Sequence, residues 1–87
     1  MTAVRPSFAK GVRFRETAEG TAMLLIPEGV LMLNGSAAAA LALVDGQRTL
    51  DDIVAALAAS YDVSPEQARS EVTELFDRLA QRQFLTL

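Results

Sequence analysis

The sequence predicts an α+β domain in which a three-stranded antiparallel sheet is followed by three helices. Apolar runs separated by turn residues fill the first 34 residues, and helix-start signals with helical apolar spacing fill the rest. Strands grouped ahead of helices are typical of α+β domains, and a small sheet beside a helix–turn–helix layer has the geometry of a winged helix. We therefore predict a single winged-helix-like domain over residues 11–87, preceded by a flexible N-terminal arm over residues 1–10.

Two kinds of apolar pattern predict the strands. Residues 12–15 alternate apolar and basic side chains, which is typical of a strand with one face in water. Residues 23–26 and 30–33 are apolar at every position, and Pro27-Glu28-Gly29 between them predicts a turn, because proline fixes φ and glycine accepts positive φ. Strands without alternation need cover on both faces. Either helices cover this hairpin on both sides, or part of its surface binds another chain.

Each helix begins with a capping signal. Asn34 precedes an alanine-rich run over residues 37–44, Thr49 is followed three residues later by Asp52, and Ser64 is followed by proline and then by Gln67. The first helix is apolar all round, so we expect it to be buried. The third helix runs to about residue 82, with one apolar face made of Ala68, Val72, Leu75, Phe76 and Leu79.

The composition argues against catalysis and against metal binding. The chain has no cysteine and no histidine, which removes the thiolate and imidazole ligands and the commonest general base. Serine residues therefore have no histidine partner, and the carboxylates of the third helix are expected on a solvated face. We predict a protein that is not an enzyme and that holds neither a metal nor a cofactor.

The charge distribution bears on the kind of partner. The net charge is −3, although residues 1–15 carry four basic side chains and no acid. A winged-helix protein that binds DNA needs basic residues on its recognition helix, whereas the third helix holds four acids against three arginines. No stretch has the length of a membrane span or the pattern of a signal peptide, so we expect a cytoplasmic protein that binds neither nucleic acid nor membrane.

The residues from Leu24 to Asn34, followed by Asp45-Gly46-Gln-Arg-Thr and by Ile-Val-Ala-Ala-Leu, resemble the pyrroloquinoline quinone (PQQ) biosynthesis protein D family. The resemblance extends from about residue 11 to residue 85, and its most specific parts are Pro27-Glu28-Gly29, Leu33-Asn34 and Asp45-Gly46 at their mutual spacing. One departure is Gln83-Phe84, where the family often has glycine and tryptophan.

The resemblance implies a peptide chaperone. Members of this family bind the ribosomally made PQQ precursor peptide and present it to a radical S-adenosylmethionine enzyme, which joins a glutamate and a tyrosine of the peptide. In related precursor-peptide recognition elements the peptide adds as a strand to the third strand and lies against the third helix. The peptide-binding residues implied here are Val30, Leu31, Met32, Leu33, Arg69, Val72, Thr73, Leu75, Phe76 and Leu79.

The third strand supports this interpretation on physical grounds. An edge strand offers unpaired backbone groups to an extended peptide. Val30 and Met32 point to one face and Leu31 and Leu33 to the other, so one pair can hold the core while the other pair faces a guest. Four alternatives stay open: recognition of a different modified peptide, a winged-helix DNA-binding protein, a structural subunit whose hairpin is permanently bound to a larger enzyme, and pairing of the same edge with a second copy to form a homodimer.

Overall fold

The computed structural model of the chain describes residues 4–87. Its elements are β1 (Ser7–Phe8), β2 (Arg13–Glu16), β3 (Ala22–Ile26), β4 (Gly29–Leu33), α1 (Gly35–Ala42), α2 (Leu50–Tyr61), α3 (Pro65–Gln81) and β5 (Leu85–Thr86). Strands β2, β3 and β4 form an antiparallel three-stranded sheet in that order, and the three helices follow it. The predicted α+β, winged-helix-like fold is confirmed, and β4 is the third strand of the prediction.

The hairpin of β3 and β4 is tighter than predicted. Ile26 pairs with Gly29, so the loop contains only Pro27 and Glu28. Glycine is needed at the end of this loop because its φ of 152° lies in a region that other residues rarely adopt. The short loop fixes the register of the two strands, which places Leu24 opposite Leu31.

The core lies between one face of the sheet and the three helices. Its largest fully buried side chains come from β3, from each helix and from the N-terminal segment: Phe76, Leu24, Leu41, Ile53 and Pro6. The expectation that α1 is buried throughout is wrong. Only Ala40 and Leu41 of this helix are buried, because α1 is short and presents one side to the core while Ala42 faces solvent.

The predicted capping signals are confirmed. The Asn34 side chain accepts a hydrogen bond from the Ala37 N–H at 3.1 Å, and the Ser64 hydroxyl accepts one from the Gln67 N–H at 3.1 Å. Thr49 and Asp52 form a reciprocal capping box, in which each side chain accepts from the other residue's backbone N–H. These bonds fix where β4 gives way to α1 and where α3 begins.

The N-terminal residues differ from the flexible arm that we expected. β1 pairs antiparallel with β5, and the carbonyls of Val4 and Pro6 accept hydrogen bonds from the N–H groups of Leu50 and Gly46 at 2.8 and 3.0 Å. Residues 4–9 are therefore held against the rest of the domain by backbone hydrogen bonds. Residues 1–3 lie outside the described residues. Because these contacts use the backbone, the side-chain pattern gives no sign of them.

Candidate functional site

The free edge of β4 is the first part of the candidate site. Among the described residues β4 pairs only with β3. Because a two-residue loop makes Ile26 and Gly29 a mutually hydrogen-bonded pair, and such pairs alternate along an antiparallel ladder, Val30 and Met32 fall at the positions not bonded to β3. Their N–H and C=O groups therefore point away from β3, towards the open edge.

The side chains of β4 separate onto two faces, as the sequence predicted. Leu31 and Leu33 are half-buried and pack against the core. Val30 is 50% exposed and Met32 is 65% exposed, which is unusual for large apolar side chains. The strand is thus anchored on one face and open both on the other face and along its edge.

A groove beside the end of β4 forms the second part of the site. It has a volume of about 500 Å³ and lies between the start of α1, the end of α2 and one flank of α3. Asn34, which directly follows β4 and caps α1, joins the groove to the strand. The apolar floor is made by Ala37, Ala40, Leu57, Val63, Ala68, Val72 and Leu75.

The structure brings together only some of the α3 residues that were predicted to bind the peptide. Val72 and Leu75 line the groove, and Leu75 is half-buried. Phe76 and Leu79 do not line it and lie wholly in the core, to which the buried Val72 also belongs. The prediction placed Val72, Leu75, Phe76 and Leu79 at the site, whereas Phe76 and Leu79 are buried in the core where α3 packs against α2, α1 and β5.

Arg69 and Thr73 lie on the other flank of α3, outside the groove. The Arg69 guanidinium donates to the Asp51 carboxylate at the start of α2, and this exposed ion pair contributes about 0–1 kcal/mol to stability. The placement of these two residues in a peptide groove is corrected by this geometry. Their helical positions are on the far side of the core-facing stripe from Leu75.

The polar rim of the groove was missed in part by the sequence reasoning. Gln67, Glu71, Glu74 and Arg78 line it, together with Tyr61 and Ser36. The carboxylates of α3 were expected on a solvated face, so they were not among the predicted peptide-binding residues. The sequence does contain a signal for these rim residues: the spacing of positions 67, 71, 74 and 78 places all four on one flank of a helix.

Residues 4–87 contain neither a cluster of metal ligands nor a helix that could span a membrane. Across residues 4–87 no three acidic side chains lie close enough together to hold a metal ion. Within the same range, none of the helices combines the length and the apolar character that crossing a bilayer requires.

The family comparison agrees with this geometry. The family model described as "Coenzyme PQQ synthesis protein D (PqqD)" matches residues 21–85, which include β3, β4 and all three helices. The chain belongs to the PqqD family. The match covers the free edge of β4 and every residue of the groove.

Relatives of this PqqD-family chain carry names that refer to PqqA or to PQQ synthesis. A "PqqA binding protein" of Stutzerimonas stutzeri is 54% identical over 57 residues, which are 64% of this chain and 62% of that protein. A "PqqA binding protein" of Azotobacter vinelandii is 39% identical over 83 residues, covering 94% of this chain and 89% of the relative. A "Bifunctional coenzyme PQQ synthesis protein C/D" of Methylorubrum extorquens is 33% identical over 92% of this chain and 22% of its own length.

A solved structure shares the fold. The solution NMR structure of the PqqD truncation of Methylobacterium extorquens PqqCD, described as a functional and stand-alone RiPP recognition element, superposes with a TM-score of 0.79 and 32% identity. The match covers 94% of this chain and 88% of that one.

Proposed function

We propose that this protein is a peptide chaperone of PQQ biosynthesis, which binds the PQQ precursor peptide as an additional strand at the free edge of β4. The observation that carries the proposal is the unpaired β4 edge joined by Asn34 to a groove of about 500 Å³. Relatives named PqqA binding protein, which are PqqD-family proteins of similar length, support the same assignment.

The backbone of β4 would supply most of the affinity. The N–H and C=O groups of Val30 and Met32 point towards the edge, so an extended peptide is held by hydrogen bonds that do not depend on its side chains. Alternate peptide side chains then project to opposite faces of the extended sheet. One set faces the helices and the groove, and the other set lies beside Val30 and Met32.

The groove would select among peptides. Its apolar floor, which includes Val72 and Leu75, suits an apolar side chain of the peptide. Its rim carries the Arg78 guanidinium and the Glu71 and Glu74 carboxylates, so it favours a peptide with charges of both signs at this point. An affinity in the micromolar range, about −8 kcal/mol, is ordinary for a carrier that must release its cargo.

The partner that receives the peptide is part of the proposal. The family resemblance implies delivery to a radical S-adenosylmethionine enzyme that joins a glutamate and a tyrosine of the peptide, in the cytoplasm where the peptide is made. The bifunctional C/D relative supports a carrier that works beside the pathway's enzymes, since there the domain shares one chain with a second PQQ synthesis function.

The proposal is tested by adding unlabelled precursor peptide to ¹⁵N-labelled protein and recording amide shifts. We expect the largest shifts at Val30 and Met32 and along the groove flank of α3 near Leu75. Shifts confined to residues 4–9 would contradict strand addition at β4. A peptide of equal length with its charged residues reversed serves as the control, and we expect it to bind more weakly.

A further inference from the structure

The face of the sheet that points away from the core is open and has an unusual composition. It carries two exposed arginines from β2 and four apolar side chains from β3 and β4. We call it the outer sheet face: Arg13, Arg15, Met23, Leu25, Val30 and Met32. The register aligns them in two rows across the sheet, with Arg13, Leu25 and Val30 in one row. Arg15, Met23 and Met32 form the other row.

None of these apolar side chains contributes to the core. Met23 and Leu25 are half-buried but, unlike Leu31 and Leu33, do not pack against the core cluster. Val30 and Met32 are at least half exposed. Large apolar side chains gathered on one open face, rimmed by polar residues, mark an interaction site more often than chance exposure.

The arginines show what chemistry the partner must have. Among the ion pairs of residues 4–87, the two present join Arg48 to Asp45 and Arg69 to Asp51, so neither Arg13 nor Arg15 meets an acid of this chain. The charge on this face is positive although the protein as a whole carries −3. A second copy of this face would set arginines beside further apolar rows without a carboxylate to meet them. The complementary surface is therefore apolar at its centre and carries carboxylates along one side.

The position of the face relates it to the proposed peptide site. A peptide strand added at β4 extends the same sheet, so the half of its side chains that points away from the helices continues the outer sheet face. A protein seated on this face contacts those side chains directly. The groove side, in contrast, is enclosed by α1 and α3.

We infer that the outer sheet face is the docking surface for the enzyme that modifies the bound peptide, through an apolar and carboxylate-bearing patch on that enzyme. The inference rests on the proposed function. It assigns two separate surfaces of one sheet to two partners: the β4 edge to the peptide and the outer sheet face to the enzyme.

The β2 end of the face provides a clean test because it is far from the peptide. Three strand spacings of about 4.8 Å place the arginines about 14 Å from an added peptide strand, which exceeds the screening length of about 8 Å at physiological salt. Arg13→Gln/Arg15→Gln removes two positive charges from the face. Arg69→Gln/Arg82→Gln removes the same charge from α3 and from Arg82, the residue that caps the C-terminus of α3, and is the matched control.

The experiment measures the affinity of each variant for the pathway's radical S-adenosylmethionine enzyme and, separately, for the precursor peptide. We expect Arg13→Gln/Arg15→Gln to weaken enzyme binding about tenfold, to reduce its salt dependence and to leave peptide affinity within about twofold of the parent. Met23→Ser, which removes an apolar contact from the same face, should also weaken enzyme binding. The control pair should change neither affinity.

Three results would overturn the inference. The outer sheet face is not the docking surface if both outer-face variants bind the enzyme as tightly as the parent does. The same conclusion follows if the parent chain binds the peptide but not the enzyme. A parent dimer that Arg13→Gln/Arg15→Gln converts to monomer would assign the face to a second copy. Failure of peptide binding with enzyme binding intact would instead refute the proposed function and leave the docking surface standing.

Discussion

The N–H group of Met32 offers a direct test of strand addition at β4. Met32→Pro removes this donor, which points to the open edge. The hydrogen bonds between β3 and β4 remain, because Met32 and Met23 are a cross-strand pair that is not hydrogen-bonded. Proline is tolerated on edge strands for this reason. The Met32 side chain is 65% exposed, so little core packing is lost.

The expected loss of affinity follows from the missing bond. A backbone hydrogen bond contributes about 0.5–1.5 kcal/mol net, and a peptide carbonyl left without a donor adds a further cost, so we expect about 2 kcal/mol in total. At about 1.4 kcal/mol per tenfold, the dissociation constant rises about 30-fold. Titration calorimetry with the precursor peptide measures it, and urea unfolding checks that the variant is folded.

Two controls decide whether the backbone is responsible. Met32→Ala keeps the N–H and should change peptide affinity less than about threefold, since backbone pairing carries most of the binding. Leu31→Pro removes an N–H that bonds to β3 and leaves its acceptor without a donor, so it should destabilise the fold by about 1–3 kcal/mol. Strand addition at β4 is refuted if Met32→Pro binds the peptide as tightly as the parent while Met32→Ala does not.

Three further predictions concern α3 and its neighbours. Arg78→Gln, at the rim of the groove, should weaken peptide binding several-fold, whereas Arg69→Gln on the other flank should leave it unchanged; equal effects in calorimetry would contradict the assignment of the groove. Phe76→Ala should lower the free energy of unfolding by about 3–5 kcal/mol in urea titrations, because the ring is buried in the core, and a stable variant that fails to bind peptide would contradict this placement. The Thr49 N–H, which donates to the Asp52 carboxylate, holds the pKa of Asp52 below its ordinary value of 3.8. Because the folded-state pKa is depressed, this stabilisation is present above about pH 3.8 and is lost as the pH falls through the folded-state pKa. Asp52→Asn should therefore unfold more easily than the parent at neutral pH and show a smaller loss of stability in acid, as acid and urea unfolding curves will measure.

Local signals in the sequence predict most of the fold. Asn34, Thr49 and Ser64 each cap the start of a helix, because their side chains accept hydrogen bonds from nearby backbone N–H groups. Each of these hydrogen bonds joins residues only three positions apart, so a short stretch of sequence is enough to predict it. The pairing of β1 with β5 was not predictable in the same way. It joins two short segments through the backbone, and neither segment has a side-chain period that identifies its partner.

The sequence predicts the arrangement of the candidate site more fully on β4 than on α3. The run from Val30 to Leu33 identifies the strand, and its two-residue period separates the faces. On α3 the sequence shows an apolar stripe but not which of its two flanks borders the groove. The packing of α1 and α2 decides this, and it leaves Arg78 at the groove and Arg69 outside it.

The pairing of β1 with β5 has a consequence for how the chain folds. It pairs Ser7 with Thr86, so forming this contact closes a loop that contains almost the entire chain. Closing so long a loop costs more conformational entropy than pairing β3 with β4, which are neighbours in the sequence. We expect the β3–β4 hairpin and the α2–α3 pair to form first and the terminal strands to join last. Substitutions at Phe8 should then speed unfolding with little effect on the folding rate, whereas those at Leu24 should slow folding.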